Sequence, residues 1–389
     1  MVANSTHARL AEGLARQGRF VPALSAVEQA LRIDDRDPCV HAVRSYMLLA
    51  EGLCSGALDS AQRALDVDPA CAPAQFMLAS ALEREGHRMP RAIAAWRRLA
   101  ELEPVGAVVQ VHLGEALAAA GLAGEAIEVW RRALETEPSD PRALYDLALA
   151  ALRRDGLSTA LPGLRRAAEL DAGEDRFFFS VMGCRVPEEA PPRPGPELTD
   201  RPSSLERACG LAAHGELFGA AETARVMLSA EPDDADALAL VAHVFLKQGG
   251  TAEALACALR AFELAPNEAA PIYMLGSACA RVPGLGGHAE RMYAALARTV
   301  PDEPVPRVLH AESLVALGGY RAARTEYEQA LACDPRCVRA LYGLAAVALV
   351  EGCHAEAAWH VKRAAVSDTR RRGVFWQLYD SYRAREVER

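Results

Sequence analysis

Apolar residues recur along most of this chain with the period of an amphipathic α-helix. In one segment they fall at i, i+3, i+4 and i+7, and in the next at i, i+4 and i+7, as Ala126, Trp130 and Ala133 do. Each spacing places apolar side chains on one face of a helix with 3.6 residues per turn. The pattern therefore predicts pairs of helices, each with one face turned to a core.

The residues between and after these helices recur as regularly as the apolar ones. A glycine can adopt positive φ and reverse the chain, whereas a proline stops a helix. The glycines at the break are Gly18, Gly52, Gly121, Gly215, Gly249, Gly318 and Gly352. The prolines past the second helix are Pro69, Pro104, Pro138, Pro232, Pro266, Pro301 and Pro335.

Small residues recur where the two helices of a pair would meet. The second helices open with residues such as Ala126 and Ala323, opposite Gly114 and Ala311 on the first helices. With no bulk on either side, two helices can approach closely. We therefore expect close helix packing within each pair.

Together these spacings resemble the tetratricopeptide repeat (TPR), a helix-turn-helix unit of about 34 residues. Ten units can be placed, at 4–37, 38–71, 72–106, 107–140, 141–174, 201–234, 235–268, 269–303, 304–337 and 338–371. The resemblance implies an all-α fold, a right-handed superhelical solenoid of about ten TPR units in two arrays.

The repeat fails once, and this break divides the chain. We predict an N-terminal array of five units plus an extra helix at 1–184, a proline-rich linker at 185–200, a C-terminal array of five units at 201–371, and a capping helix at 372–389. The extra helix begins near Arg176. The capping helix carries Phe375, Trp376 and Tyr379, which are expected to cover the end of the second array.

Composition narrows the functional classes. Hydrophobic residues make up 51% of the chain and charged residues 24%, which is typical of a folded protein. The net charge of −9 disfavours nucleic-acid binding, which depends on Lys and Arg. Arginines concentrate at Arg370–Arg372, and an anionic partner there is an alternative to a solvated surface.

The chain has no secretory signal and no apolar stretch long enough to span a membrane, so we predict a cytoplasmic protein. Its ten cysteines include no CxxC pair, as expected of reduced thiols that act as small core residues.

No catalytic constellation is apparent. The glycine-rich segment PGLGGH near Gly284 follows no strand and contains no lysine, so it matches no phosphate-binding loop. His354 and His360 are six residues apart and cannot pair on one helix face as metal ligands do. We therefore predict that the protein is not an enzyme and has no cofactor or metal.

In TPR proteins the first helices line a groove that holds a peptide or a helix, and the resemblance places this chain's partner site there. The predicted groove is apolar and aromatic with a few cations. Its residues are Phe76, Arg84, Val111, Tyr145, Leu152, Arg153, Leu246, Tyr273, Arg281, Val308, Tyr342 and Leu349. Some of these side chains are alternatively interpreted as packing against the next unit.

The groove composition indicates the partner's chemistry. TPR domains that clamp the acidic tails of chaperones use groove asparagines, and Asn4 and Asn267 are the only asparagines here, so we exclude that clamp. The sequence instead predicts a protein scaffold or adaptor that binds hydrophobic or amphipathic helical segments. Two alternatives are a regulatory or sensor subunit of an enzyme or secretion complex that hinges at the proline-rich segment, and a self-assembling structural protein.

Overall fold

The computed structural model describes residues 2–85, 88–102, 106–170, 173–184, 201–367 and 370–387, and at some helix ends, such as 370–372, it describes the backbone alone. Within these ranges the chain forms 22 α-helices and no strand. The predicted all-α class is therefore confirmed. The proline-rich linker at 185–200 and the side chains of Arg370–Arg372 lie outside the described residues.

The helices are short and similar in length. The first ten are α1 (Val2–Arg16), α2 (Phe20–Ile33), α3 (Pro38–Ala50), α4 (Cys54–Val67), α5 (Ala72–Glu85), α6 (Met89–Leu102), α7 (Ala107–Ala119), α8 (Ala123–Thr136), α9 (Pro141–Asp155) and α10 (Leu157–Glu169). The others are α11 (Gly173–Val181), α12 (Arg201–Ala213), α13 (Leu217–Ala230), α14 (Ala235–Gln248), α15 (Thr251–Leu264), α16 (Ala269–Arg281), α17 (Gly286–Thr299), α18 (Pro304–Ala316), α19 (Tyr320–Cys333), α20 (Val338–Val350), α21 (His354–Ser367) and α22 (Arg370–Val387).

The helices pack in consecutive pairs, from α1 with α2 to α7 with α8 and from α12 with α13 to α20 with α21. Helices α9 and α10 meet at Ala148 and Gly163. We call the leading member of each pair a first helix. Within each unit, neighbouring first helices also touch, as α3 and α5 or α14 and α16 do. We call the surface of a unit's first helices its first-helix face.

Internal contacts divide the chain into two compact units, 1–167 with 368–389, and 168–367. The boundaries differ from the predicted ones in two places. Helix α11 packs on α12, α16 and α18, and so belongs with the second unit. Helix α22 packs on α5 and α7 of the first unit, rather than on the end of the second array where we expected it.

The glycines between paired helices adopt the backbone conformation that the repeat predicts. All seven glycines expected at the break have positive φ, for example Gly121 at 81°. Gly156 and Gly284 also have positive φ, at 88° each, and lie between α9 and α10 and between α16 and α17. Because a left-handed residue ends the first helix, the second helix can fold back along it.

The small residues also lie where the pattern places them. Ala126 and Ala323 are fully buried between paired helices. A Cβ added to Gly114 would stand 2.3 Å from the Trp130 indole nitrogen, and one added to Gly276 would stand 2.9 Å from the Tyr293 ring. The missing side chain of each glycine therefore makes room for an aromatic ring on the second helix.

Helix ends are set by proline and aspartate. The break prolines follow the second helices closely, as Pro138 follows α8, which ends at Thr136. Several first helices start with an aspartate cap: the Asp37, Asp140 and Asp234 carboxylates accept hydrogen bonds from backbone N–H groups of the first turn. These caps satisfy donors that a helix start leaves unpaired.

Candidate functional site

In each unit, one helix outside the repeat pattern lies across the first-helix face. Helix α22 does so in the first unit and α11 in the second. We call them the resident helices. Each occupies a surface that the TPR resemblance assigns to a binding partner.

Helix α22 is held mainly by aromatic packing. The Phe375 ring stacks on Tyr46 of α3 with ring centroids 4.6 Å apart and an interplanar angle of 9°. Trp376 meets Tyr46 edge-on at 5.4 Å. Leu378 and Tyr379 are also buried against this face, and burial raises the pKa of the Tyr379 hydroxyl. Aromatic residues of this size supply most of the energy of a helix contact.

Polar contacts at the edge of α22 fix its position. The Arg16 guanidinium of α1 lies 4.1 Å from the centroid of the Trp376 ring, a cation–π geometry, and donates to Asp380 at 2.5 Å. The Tyr382 hydroxyl donates to the Asp68 carboxylate. These contacts join α22 to residues at the ends of α1 and α4.

Helix α11 uses a similar stack in the second unit. The Phe178 ring lies 4.6 Å from the His243 imidazole of α14 at an angle of 10°. Phe177 meets Tyr273 of α16 edge-on at 5.6 Å. Burial under these rings lowers the pKa of His243 to about 4, with Lys247 acting in the same direction.

Helix α11 differs from α22 in its charged contacts. Glu174 accepts hydrogen bonds from the Tyr273 hydroxyl at 3.0 Å and from Arg339 of α20 at 2.5 Å. Arg339 also forms a two-point contact with Glu312, with both distances 2.6 Å. Paired donors and carboxylates of this kind make strong, directional contacts. A further pair joins Asp175 to Lys247 at 2.8 Å.

The apolar residues predicted to line the groove are largely covered in this structure. The Tyr273 ring contacts Phe177 of α11, while Phe76 packs edge-on against Trp96 of α6 at 5.4 Å. Leu349 is partly exposed. The other apolar members are buried, namely Val111, Tyr145, Leu152, Leu246, Val308 and Tyr342. Their role in partner binding stays a prediction.

Two of the predicted groove cations make structural contacts. Arg84 donates to the Leu49 carbonyl at 2.6 Å, and Arg281 donates to the Leu246 carbonyl at 2.7 Å. Each arginine thus satisfies a carbonyl in the last turn of the preceding first helix, where a helix leaves acceptors unpaired. Arg153 is exposed.

Tyr273, which contacts α11, is among the predicted groove residues, whereas Tyr46 and His243, on which the resident helices stack, are not. His243 stands three residues before Leu246, a predicted groove residue, and Tyr46 stands at the matching distance before Leu49. Residues three apart on a helix lie on the same face. Helical spacing from Leu246 could therefore have indicated His243.

The described residues hold no cluster of three or more His, Cys, Asp or Glu side chains that could ligate a metal. None of their helices has the length and apolar character needed to cross a bilayer.

Four cysteines are buried as expected, but Cys333 and Cys353 are exposed, so the prediction of core thiols is wrong for these two.

Comparison with known families assigns the repeat. Residues 107–152 of the first unit and residues 308–371, mostly in the second, match models of the tetratricopeptide repeat. Both segments consist of the helix pairs described above. The chain contains tetratricopeptide repeats in both units, and proteins with this repeat bind other proteins.

Two similar solved structures each cover less than half of the chain. MamA from residue 41 onward, from Desulfovibrio magneticus RS-1, is 19% identical with a TM-score of 0.41, over 44% of this chain and 97% of that one. TTC0263, a thermophilic TPR protein of Thermus thermophilus, is 20% identical with a TM-score of 0.38, over 46% and 97%. Likeness at this level does not indicate a shared function. No curated protein matches the sequence.

Proposed function

We propose that this protein is a non-enzymatic scaffold whose first unit binds an amphipathic, aromatic helix of a partner protein at the place where α22 lies. The stack of Phe375 on Tyr46 is the observation that carries the proposal. This stack supports the view that the first-helix face has the shape and chemistry to accept a helix. The sequence of α22 then indicates which residues a partner helix would need.

The contacts of α22 define the partner's chemistry. Trp376 and Asp380 are four residues apart, so both lie on the helix side that meets Arg16. A partner helix is therefore expected to carry two adjacent aromatic residues followed, one turn later, by a carboxylate. Because the ion pair is solvent-exposed and worth only about 0–1 kcal/mol, affinity should fall modestly with added salt.

Partner binding must compete with α22. When the binding-competent state is a fraction of the population, the apparent affinity is reduced by that fraction. Weakening the resident helix should therefore tighten binding of a helix added in solution. This relation makes the proposal testable before the natural partner is identified.

The test uses a fluorescent peptide of residues 370–387 and the full-length chain. We expect the variant Phe375→Leu/Trp376→Leu to bind the peptide at least tenfold more tightly than the wild type, measured by anisotropy. The leucines keep apolar volume, and circular dichroism checks that the helices persist. A peptide with the same two substitutions is the matched control and should bind weakly.

Adding Tyr46→Ala to that variant locates the binding site. We expect this change to remove the gain in affinity, because it deletes the ring on which Phe375 stacks. Equal binding to the wild type and the double variant, or binding that survives Tyr46→Ala, would contradict the proposal.

The other sequence-based expectations stay proposals. They are the lack of catalysis and of a cofactor, the cytoplasmic location, the lack of nucleic-acid binding, the exclusion of a chaperone-tail clamp, and the count of ten units in two arrays. Of the two alternative functions, self-assembly has some support, because α22 and the face that accepts it belong to the same chain. Exchange of α22 between copies would give dimers that the peptide dissociates.

A further inference from the structure

Two cysteine side chains meet where α11 joins the second unit. Cys184 lies three residues beyond the end of α11, and Cys209 lies on α12. Their sulfur atoms are 2.8 Å apart although the residues are 25 apart in sequence. Cys209 is buried and Cys184 is half-buried. The pair therefore combines a sheltered thiol with one that solvent reaches.

The surroundings favour reaction between the two sulfurs over metal binding. The described residues place no third metal-ligating side chain beside them. A disulfide needs a sulfur–sulfur distance of about 2.05 Å, so only a small closure is required. The hydrogen bond between the two sulfurs lowers the pKa of Cys184, whereas the same contact and burial raise the pKa of Cys209. Because the thiolate is the reactive form, Cys184 is the nucleophile.

We propose that Cys184 and Cys209 form a reversible disulfide on exposure to peroxide, and that this bond fastens α11 to α12. The Cys184 thiolate attacks one peroxide oxygen, the O–O bond breaks, and the leaving hydroxide takes up a proton to become water. The Cys209 sulfur then attacks the resulting sulfenic acid, displacing a second water. Two thiols and one hydrogen peroxide thus give one disulfide and two waters.

The bond would act on the resident helix of the second unit. The backbone N–H of Cys184 donates to the Phe179 carbonyl at 3.0 Å, so Cys184 is fixed directly to the last turn of α11. That turn adjoins Phe178, which covers His243. Oxidation would therefore hold α11 on the first-helix face, and thiol reductants would release it by exchange.

The first test identifies the oxidised site in the full-length protein. After treatment with one equivalent of hydrogen peroxide, peptide mapping by mass spectrometry should find a Cys184–Cys209 link that dithiothreitol reverses. In the Cys209→Ser variant, dimedone should label Cys184 as a sulfenic acid. Oxidation confined to the exposed Cys333 and Cys353, with the pair still reduced, would overturn the proposal.

The second test measures the effect on α11. Amide hydrogen exchange across 174–181 should slow at least tenfold in the oxidised protein relative to the reduced one. The Cys184→Ser variant, treated with peroxide in the same way, should exchange like the reduced wild type. A linked protein in which α11 exchanges at the reduced rate would show that the disulfide does not fasten this helix.

Discussion

The two resident helices use the same ring geometry but different charges. Phe375 stacks on Tyr46 and Phe178 stacks on His243, each at 4.6 Å and nearly parallel. The ion pair of α22 is open to solvent, with Arg16 34% and Asp380 61% exposed. The pair that holds α11 is more buried, with Arg339 only 7% exposed.

The first-helix faces of the two units are therefore covered through different interactions. Exposed ion pairs contribute little and are screened by salt, so the aromatic residues dominate the hold on α22. Arg339 is buried and already paired with Glu312, and Glu174 of α11 adds a second, charge-assisted contact to it. The first unit therefore holds its helix mainly by aromatic packing, and the second holds its helix by charge as well.

The largest effect is expected from removing the stacked ring in the first unit. Phe375→Ala should lower the free energy of unfolding of that unit by about 3–5 kcal/mol, because a fully buried ring leaves a cavity. Calorimetry measures the loss. Phe218→Ala is the control, since Phe218 is 78% exposed and its loss should cost under about 0.5 kcal/mol. Equal melting of both variants would contradict the placement of α22.

The next effect should come from the buried arginine of the second unit. Arg339→Ala leaves the Glu174 and Glu312 carboxylates facing each other without their shared partner, and should cost about 3 kcal/mol. Arg260→Ala, which removes an exposed ion pair with Asp233, should leave the melting temperature unchanged. If the two variants melt alike, the buried ion pairs of Arg339 do not stabilise the second unit more than an exposed ion pair does.

The pH dependence should also differ between the units. Burial lowers the pKa of His243 to about 4 in the folded chain, with Lys247 and Arg281 adding to the shift and Asp175 and Glu174 opposing it. The unfolded chain takes up this proton below about pH 6.5. Stability therefore falls as pH drops from 6.5 towards 4, by about 2 kcal/mol at pH 4.5.

The control for this effect replaces the titrating ring. His243→Phe keeps a ring for Phe178 to stack on but cannot bind a proton. Urea unfolding at pH 7 and pH 4.5 should show a smaller loss in this variant than in the wild type. Identical losses would mean that His243 does not couple α11 to pH. In the first unit Tyr46 holds the same place, and the stack there has no such imidazole.

The smallest effect is expected at the edge of α22. Arg16→Gln removes the ion pair with Asp380 and the cation above Trp376, and should cost about 1 kcal/mol or less at low salt. The cost should shrink in 1 M salt, as followed by thermal melting. A large cost that does not change with salt would show that the interactions of Arg16, rather than aromatic packing, dominate the contact between α22 and the first unit.

The repeat was predictable because its signals are local. Gly121 and Ala126 act within one helix pair, so spacing along the sequence was enough to place them. The position of α22 was not predictable in this way. Arg16 and Asp380 are 364 residues apart, and no period relates them. The aromatic side of α22 indicated burial but not which surface would cover it.

The rings on which the resident helices stack were not predictable for a similar reason. On α14 the prediction names Leu246, whereas the stack is made by His243, one turn earlier. A buried side chain and a partner-facing one have the same apolar character in the sequence. What separates them here is the helix lying above, which only tertiary contacts reveal.

Hydrogen exchange of the full-length chain, with and without an excess of the 370–387 peptide, tests most directly whether a helix in solution competes with α22. If it does, amides of α22 should exchange faster when the peptide is present, while α3 and α5 stay protected and α11 is unchanged. Peptide binding that leaves the protection of α22 intact would contradict this competition.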